Sequence, residues 1–368
     1  MAYELELLKG DLEPRRELRL SSTALGVQQE RFQEFFLREY EAEVKALQQQ
    51  GVLPRSYSAP LGLQFELTHR CNLKCVHCYN DSSGQADVLT LEDWKRIARE
   101  AVDLGIYECV ISGGEPTIYP GLWEIMDVLR QGQVTLVMIT NGLTMTRSLA
   151  RRIASYEPAW VQVSCDGFDG ERHDAIRRHK KSWCQVVKAA RFLAEENVPV
   201  IFAHSVFRDQ LDCVSDLVDL AGCLGCAEVL IGEPLPIGRG AREDVAASLV
   251  YSDEDHERLL TTAHAKQSEW ADIMVVASPL PPRLSTRIDA IEPNKVMLLR
   301  PNGEVRLSCV SPFVVGDLTR ESLMQVWSRC RWAYRNEKVR DYGRGIRSSE
   351  DLRHSPYGIP HLGEQTRL

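Results

Sequence analysis

No stretch of this chain is long and apolar enough to cross a bilayer; the apolar run around Val134 to Ile139 reads as a buried strand. The start, Met1-Ala2-Tyr3-Glu4-Leu5-Glu6, lacks a basic region followed by an apolar one, so no secretory signal is visible. Basic excess is missing too. Across 368 residues, 44 Lys and Arg face 52 Asp and Glu, which weighs against a broad nucleic-acid surface but leaves local basic pockets open. Neither membrane nor nucleic acid is therefore an expected partner. A disulfide framework is also absent: the eleven cysteines are an odd number scattered through core-like segments, as suits reduced thiols in a cytoplasm. With 44% hydrophobic residues, the chain can fill a large domain and an accessory piece.

Three of those cysteines stand together in Cys71-Asn72-Leu73-Lys74-Cys75-Val76-His77-Cys78. A four-iron cluster takes four ligands, so a loop offering three thiolates leaves one iron open to a substrate or cofactor. Upstream, Gln64-Phe65-Glu66-Leu67-Thr68 reads as a strand, placing the loop at a strand's C-terminal end, where α/β folds carry their chemistry. The same spacing also suits a zinc site with a distant fourth ligand, or a redox-active thiol group.

From residue 62 to residue 233 the pattern repeats. Apolar strands at 62–67, 107–111, 133–140, 160–165, 199–205 and 228–232 alternate with amphipathic helices near 90–104, 120–130, 146–155, 182–196 and 210–224. Six strands and five crossovers occupy 172 residues. A βαβ unit needs roughly 30 residues or more, and a closed eight-unit barrel about 250. The expected fold is α/β, a partial (β/α)6 TIM-like barrel; a doubly wound sheet is the alternative. Residues 1–57 form an N-terminal extension, with a helical stripe from Phe32 to Leu47 and short strands around Tyr3 to Leu7 and Leu18 to Leu20. It reads as a piece covering the barrel's bottom or as a substrate-recruiting element. The barrel core spans 58–240 and an accessory region 241–335. That region holds helix and loop to about 282 and a break at Pro279-Leu280-Pro281-Pro282. A hairpin around Pro301-Asn302-Gly303 and a helix from Leu323 to Trp332 follow. Residues 336–368, rich in Arg, Ser, Gly and Pro, read as a poorly ordered tail.

Ser112-Gly113-Gly114-Glu115-Pro116 follows the second strand, and its two glycines let the backbone approach a ligand closely. The Lys-Ser/Thr pair of a nucleotide phosphate loop is missing. The order of cysteine loop and then Gly-Gly-Glu-Pro about 35 residues later, each at a strand's end, resembles the radical S-adenosylmethionine (SAM) superfamily. The quoted matches run from Phe65 to Asn80 and over Ile111 to Pro116. Ile139-Thr140-Asn141-Gly142, Val163-Ser164-Cys165-Asp166-Gly167 and His173-Asp174-Ala175-Ile176-Arg177 extend them. Within the superfamily the chain is similar to the SPASM, peptide-maturase branch, with a truncated C-terminus of that kind.

The resemblance implies that Cys71, Cys75 and Cys78 hold one [4Fe-4S] cluster. SAM would chelate its open iron, with Gly113, Gly114 and Glu115 around the amino group. Thr140 and Ser164 match positions that contact SAM, Asp166 a ribose hydroxyl, and Arg177 the SAM carboxylate, which a guanidinium suits bidentately. His77 or Tyr79 would lie near the adenine. Asp166-Gly167 also reads as turn chemistry, and Arg177 as a surface charge. Cluster potentials reach as low as about −700 mV, the range that reduction of a bound sulfonium needs. The implied product is a 5′-deoxyadenosyl radical that abstracts a substrate hydrogen.

The family pattern also breaks. Gly303-Glu304-Val305-Arg306-Leu307-Ser308-Cys309 resembles the start of a SPASM domain, yet no cysteine lies between 227 and 308 and none follows Cys330. One cluster, without an auxiliary one, is therefore expected. Cys223 and Cys226 fall in a helix-to-strand turn, and Cys109 and Cys165 read as core. His204, Glu233 and Cys309 are the pocket candidates, the first two on the rim where strands five and six end.

The function expected first is modification of a ribosomally made precursor peptide, because Pro236-Ile237-Gly238-Arg239 and the SPASM-like remnant resemble peptide maturases. The alternative is radical chemistry on a sugar, nucleoside or other small molecule. Implied partners are SAM, one of these substrates and a flavodoxin- or ferredoxin-type reductant. A separate leader-binding protein is added, because the N-terminal 57 residues are short and helix-poor for a winged-helix domain.

Overall fold

A computed structural model describes residues 49–51, 56–82, 84–278, 294–346, 348–354 and 366–367. The readings for residues 1–48 and for Pro279-Leu280-Pro281-Pro282 lie outside the described residues. Strand β1 (Gly62–Glu66) leads through α1 (Leu91–Asp103) to β2 (Glu108–Ser112), and α2 (Leu122–Gln131) leads to β3 (Thr135–Thr140). Helix α3 (Arg147–Ala154) precedes β4 (Trp160–Ser164), and α4 (Gly170–Arg177) with α5 (Ser182–Glu195) precedes β5 (Val200–Ser205). Next come α6 (Val214–Leu224), β6 (Glu228–Gly232), α7 (Asp253–Glu269) and β7 (Met274–Ser278). The remainder holds β8 (Val296–Leu299), β9 (Glu304–Arg306), β10 (Phe313–Asp317), α8 (Leu323–Cys330), α9 (Glu337–Gly345) and α10 (Ser349–Arg353).

The chain divides into two compact units. The first comprises the described parts of Gln33–Ile139, Leu235–Val250 and Pro279–Leu368. In it β1 pairs in parallel with both β2 and β8, with Leu63 opposite Cys109 on one side and Met297 on the other. β1 is covered on both edges; its sequence alternates, with Leu63 and Phe65 buried as apolar side chains, Gln64 half-buried and donating to Ser112, and Glu66 buried as a carboxylate. Helix α1 starts at Thr90, whose hydroxyl and the Asp93 carboxylate cap each other's backbone N–H groups. Trp94, Ile97, Ala98 and Ala101 form its buried stripe, with the Trp94 ring 5.1 Å from that of Phe65. Burying a side chain such as Ile97 contributes roughly 1.5–3 kcal/mol.

The second unit comprises Thr140–Pro234 and Tyr251–Ser278. Strands β4, β5, β6 and β7 are parallel neighbours in that order. Helix α6 stops at Gly225, whose left-handed backbone (φ 75°) turns the chain into β6. Helix α7 is tied to α6 by Lys266 and Trp270, which donate to Asp219 at 2.8 and 2.7 Å.

All six expected strands and all five expected helices form. The parallel sheets extend further than the sequence pattern shows. β7 arises in a stretch read as helix and loop, and β8 pairs with β1 besides forming the expected hairpin with β9. The segment read as a tail also needs correcting, because Glu337–Gly345 and Ser349–Arg353 are helical. Val339, Tyr342 and Leu352 are buried there, and the Tyr342 hydroxyl donates to the Val310 carbonyl at 2.6 Å. Three well-spaced apolar anchors outweigh a polar, Arg-rich composition. No helix among the described residues is long and apolar enough to cross a membrane.

Candidate active site

The approach to the cysteine loop is held by a chain of buried and part-buried polar contacts. The Thr68 hydroxyl and the His69 amide donate to the two oxygens of Asp87, at 2.5 and 2.7 Å. His69 Nδ1 stands 3.3 Å from Asp87, while its Nε2 accepts from Arg300 at 2.9 Å. The Asp87 carboxyl sits below its ordinary range: burial pushes it up, and the bonds from His69 and Thr68 outweigh that. Arg300 also donates to Asn80 at 2.7 Å and pairs with Glu66 at 3.3 Å, both members of the ion pair being fully buried. Tyr79 completes the set by donating its hydroxyl to Glu66 at 2.9 Å. Burial first, and Glu66 next, hold the Tyr79 phenol well above its usual range.

The three sulfurs share one region. The Leu73 amide donates to Cys71 Sγ at 3.4 Å, the kind of contact that stabilises a thiolate. Burial nonetheless pushes the Cys71 thiol up to about 12, with Glu115, Cys75 and Cys78 adding repulsion. Such a set of mutually repelling donors suits a positive centre between them. Among the described residues no three His, Cys, Asp or Glu side chains converge as one ion requires. A single-zinc site is not built among the described residues. A four-iron cluster instead takes each thiolate on a different iron, so its ligands stand apart, and three soft sulfurs on one loop fit it.

The Gly113–Gly114 pair packs against the same loop. At Gly113 (φ 135°) a Cβ would lie 2.8 Å from the Thr68 carbonyl oxygen, and at Gly114 2.2 Å from that of Arg70. The Gly114 and Glu115 amides donate to those two carbonyls at 2.6 and 3.0 Å. Thus the glycines let β2's end close on the segment entering the cysteine loop. Glu115 is fully buried and accepts from the Thr117 amide and hydroxyl at 3.2 and 2.6 Å. Cys71, Cys75, Cys78, His77, Tyr79, Gly113, Gly114, Glu115 and Cys309 all belong to the first unit. Cys309 is half-buried, and its charge would act on both Tyr79 and Tyr342. Cys330 is not beside it in the same role: it is buried in α8 and accepts from Asn294 at 3.0 Å.

Thr140, Ser164, Asp166, Arg177, His204 and Glu233 belong to the second unit. Thr140 and Ser164 end β3 and β4, and the Thr140 hydroxyl accepts from the Gly142 amide at 3.1 Å. Asp166 and Arg177 are buried and pair with each other at 2.6 Å. Asp166 also accepts from the Ser205 amide at 3.1 Å, while its own amide donates to His173 Nδ1 at 3.1 Å. Arg177 is therefore no surface charge. Burial, and then Arg177, depress His173 to about 3 and keep it neutral. His204, at the end of β5, donates from Nδ1 to the Cys165 carbonyl; burial lowers it to about 4, so it too is neutral.

Glu233 shows a partner that sequence reasoning missed. Its carboxylate, fully buried, lies 2.9 Å from His256 Nε2 on α7. A lone histidine in the first turn of a helix carries no motif, and only the return of α7 to β6 makes the pair. The Glu233 hydrogen bond raises His256 above its ordinary value, against the effect of burial. A raised histidine stabilises the fold fully below its unfolded value of about 6.5, and that contribution fades as pH rises through the higher folded value. We therefore expect urea unfolding to show a larger wild-type advantage over Glu233→Gln near about pH 6 than near about pH 9. Equal gaps at both would contradict the pairing.

Residues 65–221 match the family model described as the radical SAM superfamily. Among curated proteins, the chain is similar to the antilisterial bacteriocin subtilosin biosynthesis protein AlbA of Bacillus subtilis (strain 168). The two are 28% identical over 276 residues, 74% of this chain and 60% of AlbA. It is also similar to the mycofactocin maturase MftC of Mycolicibacterium smegmatis, 34% identical over 190 residues, 51% of this chain and 48% of MftC. The chain thus spans between about half and three fifths of the length of these relatives. In three dimensions it is similar to Streptococcus suis SuiB bound to the precursor peptide SuiA. The TM-score is 0.65 at 15% identity, over 97% of this chain and 83% of SuiB, a likeness of fold. The α/β class with parallel strands agrees with that likeness of fold, and residues 65–221 are similar to the radical SAM superfamily.

Proposed function

We propose that this protein is a radical SAM enzyme that modifies a ribosomally made precursor peptide. The observation that carries the reading is the three-cysteine loop itself, which places three soft sulfur donors within eight consecutive residues just after β1 and packs against the Gly113–Gly114 turn. Cys71, Cys75 and Cys78 would hold a [4Fe-4S] cluster. Such a cluster would supply the electron that cleaves SAM reductively to methionine and the 5′-deoxyadenosyl group that abstracts a substrate hydrogen.

The chain's own part is holding and shielding. Asp87 and Arg300 fix the entry to the loop from both sides of His69. The glycine pair seals β2 onto it. Gly113, Gly114 and Glu115 are assigned to the methionyl amino end of SAM, and Thr140, Ser164, Asp166 and Arg177 to its remaining polar groups. His77 and Tyr79 are assigned to the adenine side, and His204, Glu233 and Cys309 to the substrate side. A neutral His204 and a buried Glu233 are suited to proton handling on a substrate rather than to binding the cluster.

Peptide as the substrate class draws support from the described roles of AlbA and MftC, a biosynthesis protein of a bacteriocin and a maturase. A sugar or nucleoside substrate is the second reading, favoured by the lack of cysteines from 227 to 308 and after Cys330. The test is anaerobic incubation of the reconstituted protein with dithionite, SAM and a peptide encoded beside its gene, read by mass spectrometry. A mass change in the peptide that depends on SAM supports the proposal. SAM cleavage with the peptide unchanged, and a small molecule altered instead, would replace it with the second reading.

A further inference from the structure

The segment after β6, Leu235-Pro236-Ile237-Gly238-Arg239-Gly240, has so far been assigned no physical role at the site. It lies in the first unit, against the cysteine loop. The Arg239 amide donates to the Cys78 carbonyl at 2.9 Å. Its guanidinium reaches further round the loop: Nε donates to the Cys75 carbonyl at 2.9 Å, and one terminal nitrogen donates to the Ser82 carbonyl at 2.8 Å and the Asp81 carboxylate at 3.1 Å. One buried residue thus holds three main-chain carbonyls of the loop, two of them those of cluster cysteines.

Gly238 makes that approach feasible, and Gly240 lets the segment turn on itself beside it. Gly238 has φ 56°, and a Cβ there would lie 2.4 Å from the Cys78 carbonyl oxygen and 2.3 Å from that of Tyr79. At Gly240 a Cβ would lie 2.6 Å from the Leu235 carbonyl oxygen and 3.6 Å from His77 Cα. Backbone therefore lies directly on backbone, and the arginine alone spans the loop. A planar guanidinium can direct separate N–H groups at carbonyls in different directions, which an ammonium on a flexible stem does less well. Burying such a cation is costly unless its donors are met. Here the partners that meet them are the loop's own main chain and Asp81.

We propose that Arg239 is a positioning residue for the iron–sulfur cluster, setting the shape of the Cys75–Ser82 loop so that its thiolates are spaced for iron before iron arrives. This rests on the cluster reading above. It gives the Gly238-Arg239-Gly240 sequence a physical purpose: two gaps in side-chain bulk, and between them one fork that clasps the loop.

The test uses the full chain, reconstituted anaerobically, as wild type, Arg239→Gln, Arg239→Lys and Asp81→Asn. Iron release to an added chelator is followed by absorbance, and the dithionite-reduced cluster is examined by electron paramagnetic resonance. Outer partners of metal ligands typically change metal affinity by about 10–100-fold. We expect Arg239→Gln to release iron at least about tenfold faster than wild type, with a shifted resonance spectrum. Arg239→Lys and Asp81→Asn should fall between. Circular dichroism and melting of the iron-free proteins provide the control for folding; a variant that is folded yet cannot load iron counts in favour. Release rates and spectra matching wild type in all three variants would overturn the proposal. Failure of the wild type itself to take up iron would instead overturn the cluster reading on which it rests.

Discussion

Cys75→Ala is expected to release no measurable 5′-deoxyadenosine from SAM, a loss of at least about a hundredfold. Of the three loop cysteines Cys75 is the buried one, 7% exposed, and its carbonyl is held by Arg239. The alanine form would keep the loop's backbone contacts while leaving two thiolates for a cluster that needs three from protein. Water cannot readily replace a sulfur at a buried position. The reconstituted wild type should bind about four irons and the variant clearly fewer. The assay is chromatographic quantitation of 5′-deoxyadenosine under dithionite. Release at the wild-type rate would show that Cys75 is no ligand, and the site assignment would fall with it.

Arg300→Met is expected to be the most destabilising single change away from the cysteines. It would strand Glu66 as a buried charge and remove the donors to His69 Nε2 and Asn80 Oδ1. Breaking one side of a buried ion pair costs about 3–5 kcal/mol, whereas replacing both sides by apolar residues can be close to neutral. The double variant Glu66→Leu, Arg300→Met should therefore recover part of the loss, although Tyr79 then lacks its acceptor. Urea titration monitored by circular dichroism measures both. A single-variant loss below about 1 kcal/mol would mean that Glu66 is paired or neutralised by another route.

The two expectations share an origin in the first unit, where a short reactive loop is gripped from several directions. Asp87 and Arg300 reach its entry, the Gly113–Gly114 turn lies along it, and Arg239 clasps its far end. The hairpin of β8 and β9, read from sequence as the remnant of a cluster-bearing domain, has an evident structural task. It brings in Arg300, and the Pro301 carbonyl at its turn accepts from the amides of Val88 and Leu89. A cysteine-poor accessory region can thus remain useful as a brace for the one loop.

Much of this was legible from local patterns. Strand and helix periodicities are set by which side chains face the core within a few residues, so the six strands and five crossovers from β1 to β6 could be read directly. The C-x3-C-x2-C spacing is likewise a property of eight consecutive residues, and with Gly-Gly-Glu-Pro it carries the resemblance to the radical SAM superfamily that the family model matches over 65–221. Composition misled at 337–353, where abundant charge masked the buried Val339, Tyr342 and Leu352. What only tertiary structure decided were the pairings across long separations. Arg300 meets Glu66 from 234 positions away, and Arg239 meets Cys75 from 164. Glu233 meets His256 across a helix return. In a chain with 44 Lys and Arg and 52 Asp and Glu, any of these partners could be satisfied by solvent or by many others. Burial removes the solvent, and only the folded backbone selects which charges must then answer one another.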